Sequence, residues 1–244
     1  LGVYLAGGFD DDSQTIRVSN ATANATMSPT FAPTLALEER ILSLLPRSTV
    51  EAIGIPGSFQ EQAFQWLVHD NWVATYSDER LVQRFALATT YYSTNGDRWI
   101  NNTNWLSDLH ECEWYSDIYS GVNCSDNGTV PDLDNFTYDY FVFQRNNLNG
   151  ALPAEFYLLS NLRAILVGNN AITGHISPDI GGLSLLETLY GFDNRIGGNL
   201  PVDISKLSNL TTLALFSNQI TGTLPAEIWP SLIKLTSLSL LNNL

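Results

Sequence analysis

Two histidines stand directly beside an acid, His69 before Asp70 and His110 before Glu111, and a histidine with a carboxylate is the raw material of general acid–base catalysis. Adjacency along the chain is weak evidence for a dyad, and no other catalytic pattern accompanies these pairs. The chain has no glycine-rich phosphate loop, no Gly-x-Ser-x-Gly elbow and no His-Glu-x-x-His helix. It is therefore expected not to be an enzyme and to use no cofactor. Two cysteines, Cys112 and Cys124, and three histidines cannot supply a four-cysteine zinc site, and a mixed site has no ligand spacing to support it, so no metal is expected. Asp97, Asp108, Glu111, Glu113, Asp117, Asp126, Asp132 and Asp134 gather around one basic residue, Arg98, without the spacing of a calcium loop. They read as a solvated acidic face.

The 244 residues carry 11 Lys plus Arg against 25 Asp plus Glu, a formal net charge of −14. Such a balance argues against nucleic acid, whose binders collect basic side chains to release counterions, and against anionic membrane surfaces. No apolar run approaches the roughly 20 residues of a spanning helix. Residues 1 to 134 hold 6 basic and 18 acidic side chains while residues 135 to 244 hold 5 and 7, so two differently built regions are expected. Sequons start at Asn20, Asn24, Asn101, Asn123, Asn127, Asn135 and Asn209. Their excess favours a secreted or lumenal chain, with glycans at Asn20, Asn24, Asn101, Asn127, Asn135 and Asn209, in which a pair of cysteines 12 positions apart is more naturally a disulfide than two free thiols.

The elements that must position any site fall in four stretches. Residues 1–34 open with the apolar Leu1 to Gly8 and turn to Asp, Ser, Thr, Asn, Ala and Pro, an extended linker with nothing to pack. Leu1 to Gly8 read either as the end of a signal anchor or membrane helix lying just before residue 1 or as ordinary disordered terminal residues. Residues 35–96 are helical in pattern. Leu37, Ile41, Leu44 and Leu45 recur at helical spacing and stop at Pro46; Ser58 with Glu61 is a capping box; Leu81, Phe85, Ala88 and Tyr92 mark a helix from Asp78 to Asn95-Gly96. Trp66, Trp72, Tyr91 and Tyr92 read as packing aromatics. Residues 97–137 form a cap, and 138–244 repeat.

Asparagines at 146, 170, 194, 218 and 243 are spaced by 24, 24, 24 and 25, and Gly150, Gly174, Gly198 and Gly222 follow four of them at an offset of 4. One unit reads Leu207, Leu210, Leu213, Leu215, Asn218, Ile220, Gly222, Leu224, Pro225, Ile228. A fixed period of this length means a solenoid. The pattern resembles the leucine-rich repeat, and Gly-x-Leu-Pro with a 24-residue period is similar to its plant-type subclass, over residues 138–244. Trp99, Trp105, Cys112, Trp114, Gly121, Val122 and Cys124 resemble the disulfide-closed N-terminal cap of such proteins. The run from Gln83 to Thr89, followed by Tyr91 to Asp97 and Trp99, is similar to leucine-rich repeat, receptor-like proteins of diatoms. The resemblance implies an α/β solenoid: a right-handed leucine-rich repeat coil with a concave parallel sheet, preceded by a small helical unit and a disulfide cap joining Cys112 to Cys124.

Stacked coils bury Leu213 and Leu215, while Asn146, Asn170, Asn194, Asn218 and Asn243 are expected to turn inward as a ladder that satisfies backbone groups. Gly191 stands where neighbouring coils place Val167 and Leu215, a packing gap that Tyr190 or Phe192 is expected to fill; Ser177-Pro178 moves a proline one place later than in the other coils. Alternate strand residues must face the concave side. These include Tyr140, Val142, Arg145, Leu166, Tyr190, Phe192, Asp193 and Phe216, with Val142, Leu166 and Tyr190 in one row and Phe192 and Phe216 in the next. Grouped exposed aromatics are the mark of a binding surface. The expected function is extracellular or cell-surface recognition of a protein, peptide or glycan, with a structural or adhesive glycosylated cell-wall protein as the alternative. The chain ends at Leu244 inside a repeat, so the full protein is expected to continue, with a membrane reached only through a segment outside this chain.

Overall fold

A computed structural model describes residues 32–114, 121–124 and 138–244. Four α-helices come first: α1 (Ala32–Leu44), α2 (Arg47–Ile53), α3 (Phe59–Val68) and α4 (Asp78–Ser93). Helix α1 begins inside the stretch read as linker, and α2 has no counterpart in the sequence reading. Pro46 ends α1 and at once caps α2, because its missing N–H costs nothing ahead of a first turn. Ser58 opens α3 by accepting the Glu61 N–H at 3.0 Å, while the Glu61 carboxylate accepts the Gly57 N–H at 2.9 Å. Ser77 caps α4, whose first turn carries Asp78 and Glu79 where the helix dipole favours them. Its end is set by Asn95, which takes a left-handed φ of 56°.

Helix α4 is buried on two sides. Leu81, Phe85 and Ala88 pack with Ile41, Phe64, Leu67 and Tyr76 of the helical layer, whereas Ala86, Leu87 and Tyr91 belong to the core that runs on through Trp99, Trp105 and Phe143 into the coils. The helices therefore cover the first coil's apolar end, which an isolated coil would leave wet. At the end of α4 the backbone crosses β3 so closely that a Cβ on Gly150 would lie 2.0 Å from the Ser93 carbonyl oxygen. Only glycine fits there.

The strands are β1 (Gly121–Cys124), β2 (Tyr138–Val142), β3 (Asn149–Ala151), β4 (Ala164–Leu166), β5 (Ala171–Thr173), β6 (Thr188–Tyr190), β7 (Gly197–Gly198), β8 (Thr212–Ala214), β9 (Gln219–Ile220) and β10 (Ser237–Ser239). One sheet runs in the order β1-β2-β4-β6-β8-β10; β1 is antiparallel to β2 and the rest are parallel. Two small outer sheets pair β3 with β5 and β7 with β9. Short 3₁₀ turns at Ala154–Leu158, Pro178–Gly182, Val202–Lys206 and Ala226–Ile228 close the convex side. The displaced proline has a local reason. In three of these turns a proline is the N-cap, but in the second Ser177 takes that place, accepts the Asp179 N–H at 3.2 Å, and leaves Pro178 at the first helical position.

Between sheet and turns lie the fully buried Leu162, Leu186, Leu210, Leu213 and Leu215. The ladder asparagines bind the coils edge to edge. Asn194 accepts the Ile172 N–H at 2.9 Å and donates to the Val167 and Gly191 carbonyls; Asn218 accepts the Ile196 N–H and donates to the Gly191 and Leu215 carbonyls. Asn146 does the same toward the cap, accepting the Asn101 N–H at 2.7 Å and donating to the Asn101 carbonyl. Asn170 and Asn243 complete the series through Leu148 and Ile220.

The gap at Gly191 is closed from inside, not by Tyr190 or Phe192. A Cβ there would meet Leu215 Cδ2 at 3.0 Å and Ile196 Cδ1 at 3.4 Å. A small apolar cavity of about 20 Å³ remains beside it. Tyr190 and Phe192 point to the opposite face, as strand alternation requires.

Candidate binding face on the concave sheet

Backbone register decides which side chains meet on the concave face. Tyr140, Ala164, Thr188, Thr212 and Ser237 align across the coils, as do Val142, Leu166, Tyr190, Ala214 and Ser239. Beyond the strand ends the same hydrogen bonding continues, from Asn169 N to Phe192 O and from Asp193 N to Phe216 O. Phe192 and Phe216 are thereby neighbours in the following row. Their rings stack at 4.7 Å and 6°, and Tyr190 meets Phe192 edge-on at 6.1 Å. Tyr140 is 41% exposed; Val142, Leu166, Tyr190, Phe192 and Phe216 are half-buried.

Gly168, which strand alternation places on the concave face with Ala164, Leu166 and Asn169, is the seat of Phe192. A Cβ there would come within 2.7–2.9 Å of three atoms of the Phe192 ring, so the ring lies flat over Gly168 on one side and against Phe216 on the other. Both faces of Phe192 are covered and its edge is what remains. The signal in the sequence was a glycine at the place where the next coils carry Phe192 and Phe216.

Arg145 and Asp193 stand on the rim, not on the floor of the sheet. They belong to a row with Asn169, Ser217 and Asn242 in which every residue has a positive φ, between 49° and 57°. Non-glycine residues pay for this left-handed conformation, and a turn repeated in five coils keeps it in place. The row is polar beside the aromatic band, with Arg145, Asp193 and Asn242 exposed and Asn169 and Ser217 half-buried. Among the described residues neither Arg145 nor Asp193 has an ion-pair partner. On the other side of the band lie the Thr188 and Thr212 hydroxyls, then an Arg163–Glu187 pair at 2.6 Å.

The fold separates His69 from Asp70 but leaves His110 Nδ1 3.7 Å from the Glu111 carboxylate. His69 Nδ1 sits 2.6 Å from the Gln65 carbonyl, whereas Asp70 is buried and accepts from Arg84 at 2.7 Å, from the Tyr76 hydroxyl and from the Trp72 N–H. Glu111 is fully buried against the same Arg84 at 2.9 Å, with Arg80 at 3.3 Å. Arg84 itself is fully buried, donates to the Ser107 and Leu109 carbonyls, and lies 4.8 Å from the Trp114 ring centre. Burial works to raise the Glu111 carboxyl, but the Arg84 and Arg80 charges outweigh it and hold the group below its ordinary range. Burial likewise keeps the Tyr76 phenol protonated and able to donate to Asp70. These groups tie the cap to the helical layer.

Cys112 carries no free thiol, and the Cys124 side chain lies outside the described residues. Asn20, Asn24, Asn127 and Asn135, with Asp117, Asp126, Asp132 and Asp134, also lie outside them. Asn101 is half-buried with its backbone held by Asn146. The Asn209 amide donates to the Ser184 carbonyl at 2.9 Å and accepts from Lys234 at 2.7 Å, bridging three coils. None of the described helices is long and apolar enough to cross a membrane.

The family model described as Leucine Rich Repeat matches residues 209–230. No curated protein matches the chain. Among solved structures, a plant ice-binding protein is similar over 65% of this chain and 47% of its own, at 22% identity and a TM-score of 0.51. A TDR receptor is 39% identical over 43% of this chain and 18% of its own, with a TM-score of 0.42. The BIR3–SERK2 complex from Arabidopsis thaliana is 23% identical over 63% of this chain and 80% of the matched chain, with a TM-score of 0.48. The chain thus spans less than half of the ice-binding protein and of the TDR receptor. The fold is a leucine-rich repeat solenoid.

Proposed function

We propose that this chain is a recognition module of an extracellular or cell-surface protein, receptor-like in organisation, and that it binds a protein or peptide through the concave face without catalysing a reaction. The observation that carries this reading is the half-exposed band of Val142, Leu166, Tyr190, Phe192 and Phe216, bordered by a polar rim. Apolar contact surrounded by polar groups is the arrangement of a binding hot spot. A peptide suits the band better than a glycan does. Sugars stack on open ring faces, and Phe192 offers only its edge, whose positive potential favours carbonyl oxygens and other ring faces. Secretion, glycans on the sequons and a Cys112–Cys124 bridge belong to the same proposal, as does anchoring through a membrane helix outside this chain.

The test is a set of three variants applied to a partner captured on the secreted protein. Tyr190→Ala and Phe216→Ala are expected to weaken binding by about 2 kcal/mol or more with folding largely intact. Leu213→Ala is expected to do the reverse, losing about 2–5 kcal/mol of stability through the cavity it opens. If both aromatic variants fold and bind normally, the concave face is not the site.

A further inference from the structure

Among the described residues, buried carboxylates sit beside cations, with one exception. Asp70 and Glu111 share Arg84, and Asp139 lies 3.9 Å from Arg163. Glu155 is only 2% exposed, yet among the described residues no basic group lies within ion-pair distance of it. Its Oε1 accepts from the Thr49 hydroxyl at 2.7 Å and its Oε2 from Gln60 Nε2 at 3.1 Å. Both donors are neutral, and a carboxylate has about four acceptor sites, so half of its capacity is unused. The unused acceptor sites leave room for a cationic donor.

Glu155 lines an open hollow of about 260 Å³ together with Pro46, Ser48, Tyr157 and a second carboxylate, Asp179. No basic side chain lines it. Leu158 also borders a second hollow of about 270 Å³, with Leu44, Val82 and Leu159 as its apolar floor and Asp78 and Glu79 on its rim. Asp78 is engaged by Arg40 at 2.6 Å, whereas Glu79 has no ion pair among the described residues. Both hollows open where the helical layer meets the first convex turn, on the side of the coil away from the aromatic band.

We propose that these two hollows form one docking site for a basic segment of a partner protein, with a lysine or arginine side chain entering beside Glu155 and Asp179. The alkyl stem of such a side chain covers Leu158 while its charged end supplies the cation that Glu155 lacks. The second acidic hollow gives a following basic residue its own anchor, which a free small amine would not use. A chain of net charge −14 draws such a segment toward it. This site is independent of the concave face.

Fluorescence anisotropy with a labelled, end-capped Gly-Lys-Leu-Lys-Leu-Lys-Gly peptide at low salt tests the proposal, with the glutamate-for-lysine peptide and butylamine as controls. The lysine peptide is expected to saturate and the glutamate peptide not to bind. Glu155→Gln and Asp179→Asn are each expected to raise Kd about tenfold, the size of a lost charge-assisted contact. Asp179 is exposed, so its variant reads out binding even if Glu155→Gln proves unstable. Glu227→Gln on the last convex turn, and Phe216→Ala on the concave face, are expected to leave Kd unchanged. Failure of the lysine peptide to bind at millimolar concentration overturns the proposal, as does an unchanged Kd in both test variants. An equal loss in Glu227→Gln would show only diffuse attraction, and competition by butylamine at the peptide's own concentration would show a small-amine pocket; either also overturns it.

Discussion

Replacing Asn218 separates the two halves of what a ladder asparagine does. Its Oδ1 is the acceptor for the Ile196 N–H at 3.0 Å, and its Nδ2 donates to the Gly191 and Leu215 carbonyls at 2.9 and 3.1 Å, all within the buried seam between coils. The carbonyls have a second donor each: Gly191 also accepts from Asn194, and Leu215 from Asn243. The Ile196 N–H has no substitute. Asn218→Ala therefore orphans chiefly one buried donor, which costs about 1–3 kcal/mol. Asn218→Asp keeps an acceptor for Ile196 but points a charged oxygen at two carbonyls, an uncompensated buried charge that costs about 3–5 kcal/mol. That charge raises the folded pKa of the new aspartate above its unfolded value. The aspartate variant should hence be close to wild type below the unfolded pKa, and its deficit should grow as pH rises toward the folded one. Urea midpoints at constant slope, followed by circular dichroism at acid and neutral pH, measure both. Asn199, exposed and bonded only to the Thr221 hydroxyl, is the control and should lose at most about 0.5 kcal/mol as alanine. Equal, pH-independent losses in Asn218→Ala and Asn218→Asp, or an equal loss at Asn199, would refute the ladder account.

Arg84→Met should destabilise the protein by about 3–5 kcal/mol, since it leaves Asp70 and Glu111 buried without their cation; chemical unfolding measures it. Because the folded Glu111 carboxyl is held below the ordinary glutamate range, its contribution is present above that range and lost as pH falls through the lower folded pKa, so Glu111→Gln should flatten the acid limb of the stability profile. Gly168→Ala should push the Phe192 ring off its seat, weakening partner binding and changing the near-ultraviolet dichroism while leaving the melting temperature within a few degrees. Alkylation without reductant should add no mass at Cys112 or Cys124 in secreted protein, and two modified thiols would remove the bridge and the secretion proposal together.

The repeat period, the inward leucines and the outward aromatics were legible because each rests on local geometry. A strand sends alternate residues to opposite faces whatever surrounds it, so Tyr190, Phe192 and Phe216 could be placed opposite Leu189, Leu213 and Leu215 from their numbers alone. The capping residues Ser58 and Asn95 were equally local. The Gly191 gap was misjudged for the opposite reason: which side chain closes a space depends on three-dimensional neighbours, and Leu215 and Ile196 reach it from inside the coil.

Sequence alone also determined the balance of charge, a net −14 with few basic side chains, which is set by composition and needs no fold. Only the tertiary structure decided where isolated charges go. Arg84 and Glu111 are 27 residues apart and Thr49 and Glu155 are 106 apart, and no periodicity links either pair. Their meeting depends on how α4 turns one side to the helices and the other to the coils. Tertiary neighbours then give each carboxylate its meaning, since Glu111 lies beside two arginines whereas Glu155, beside none among the described residues, is where we propose that a partner's cation docks.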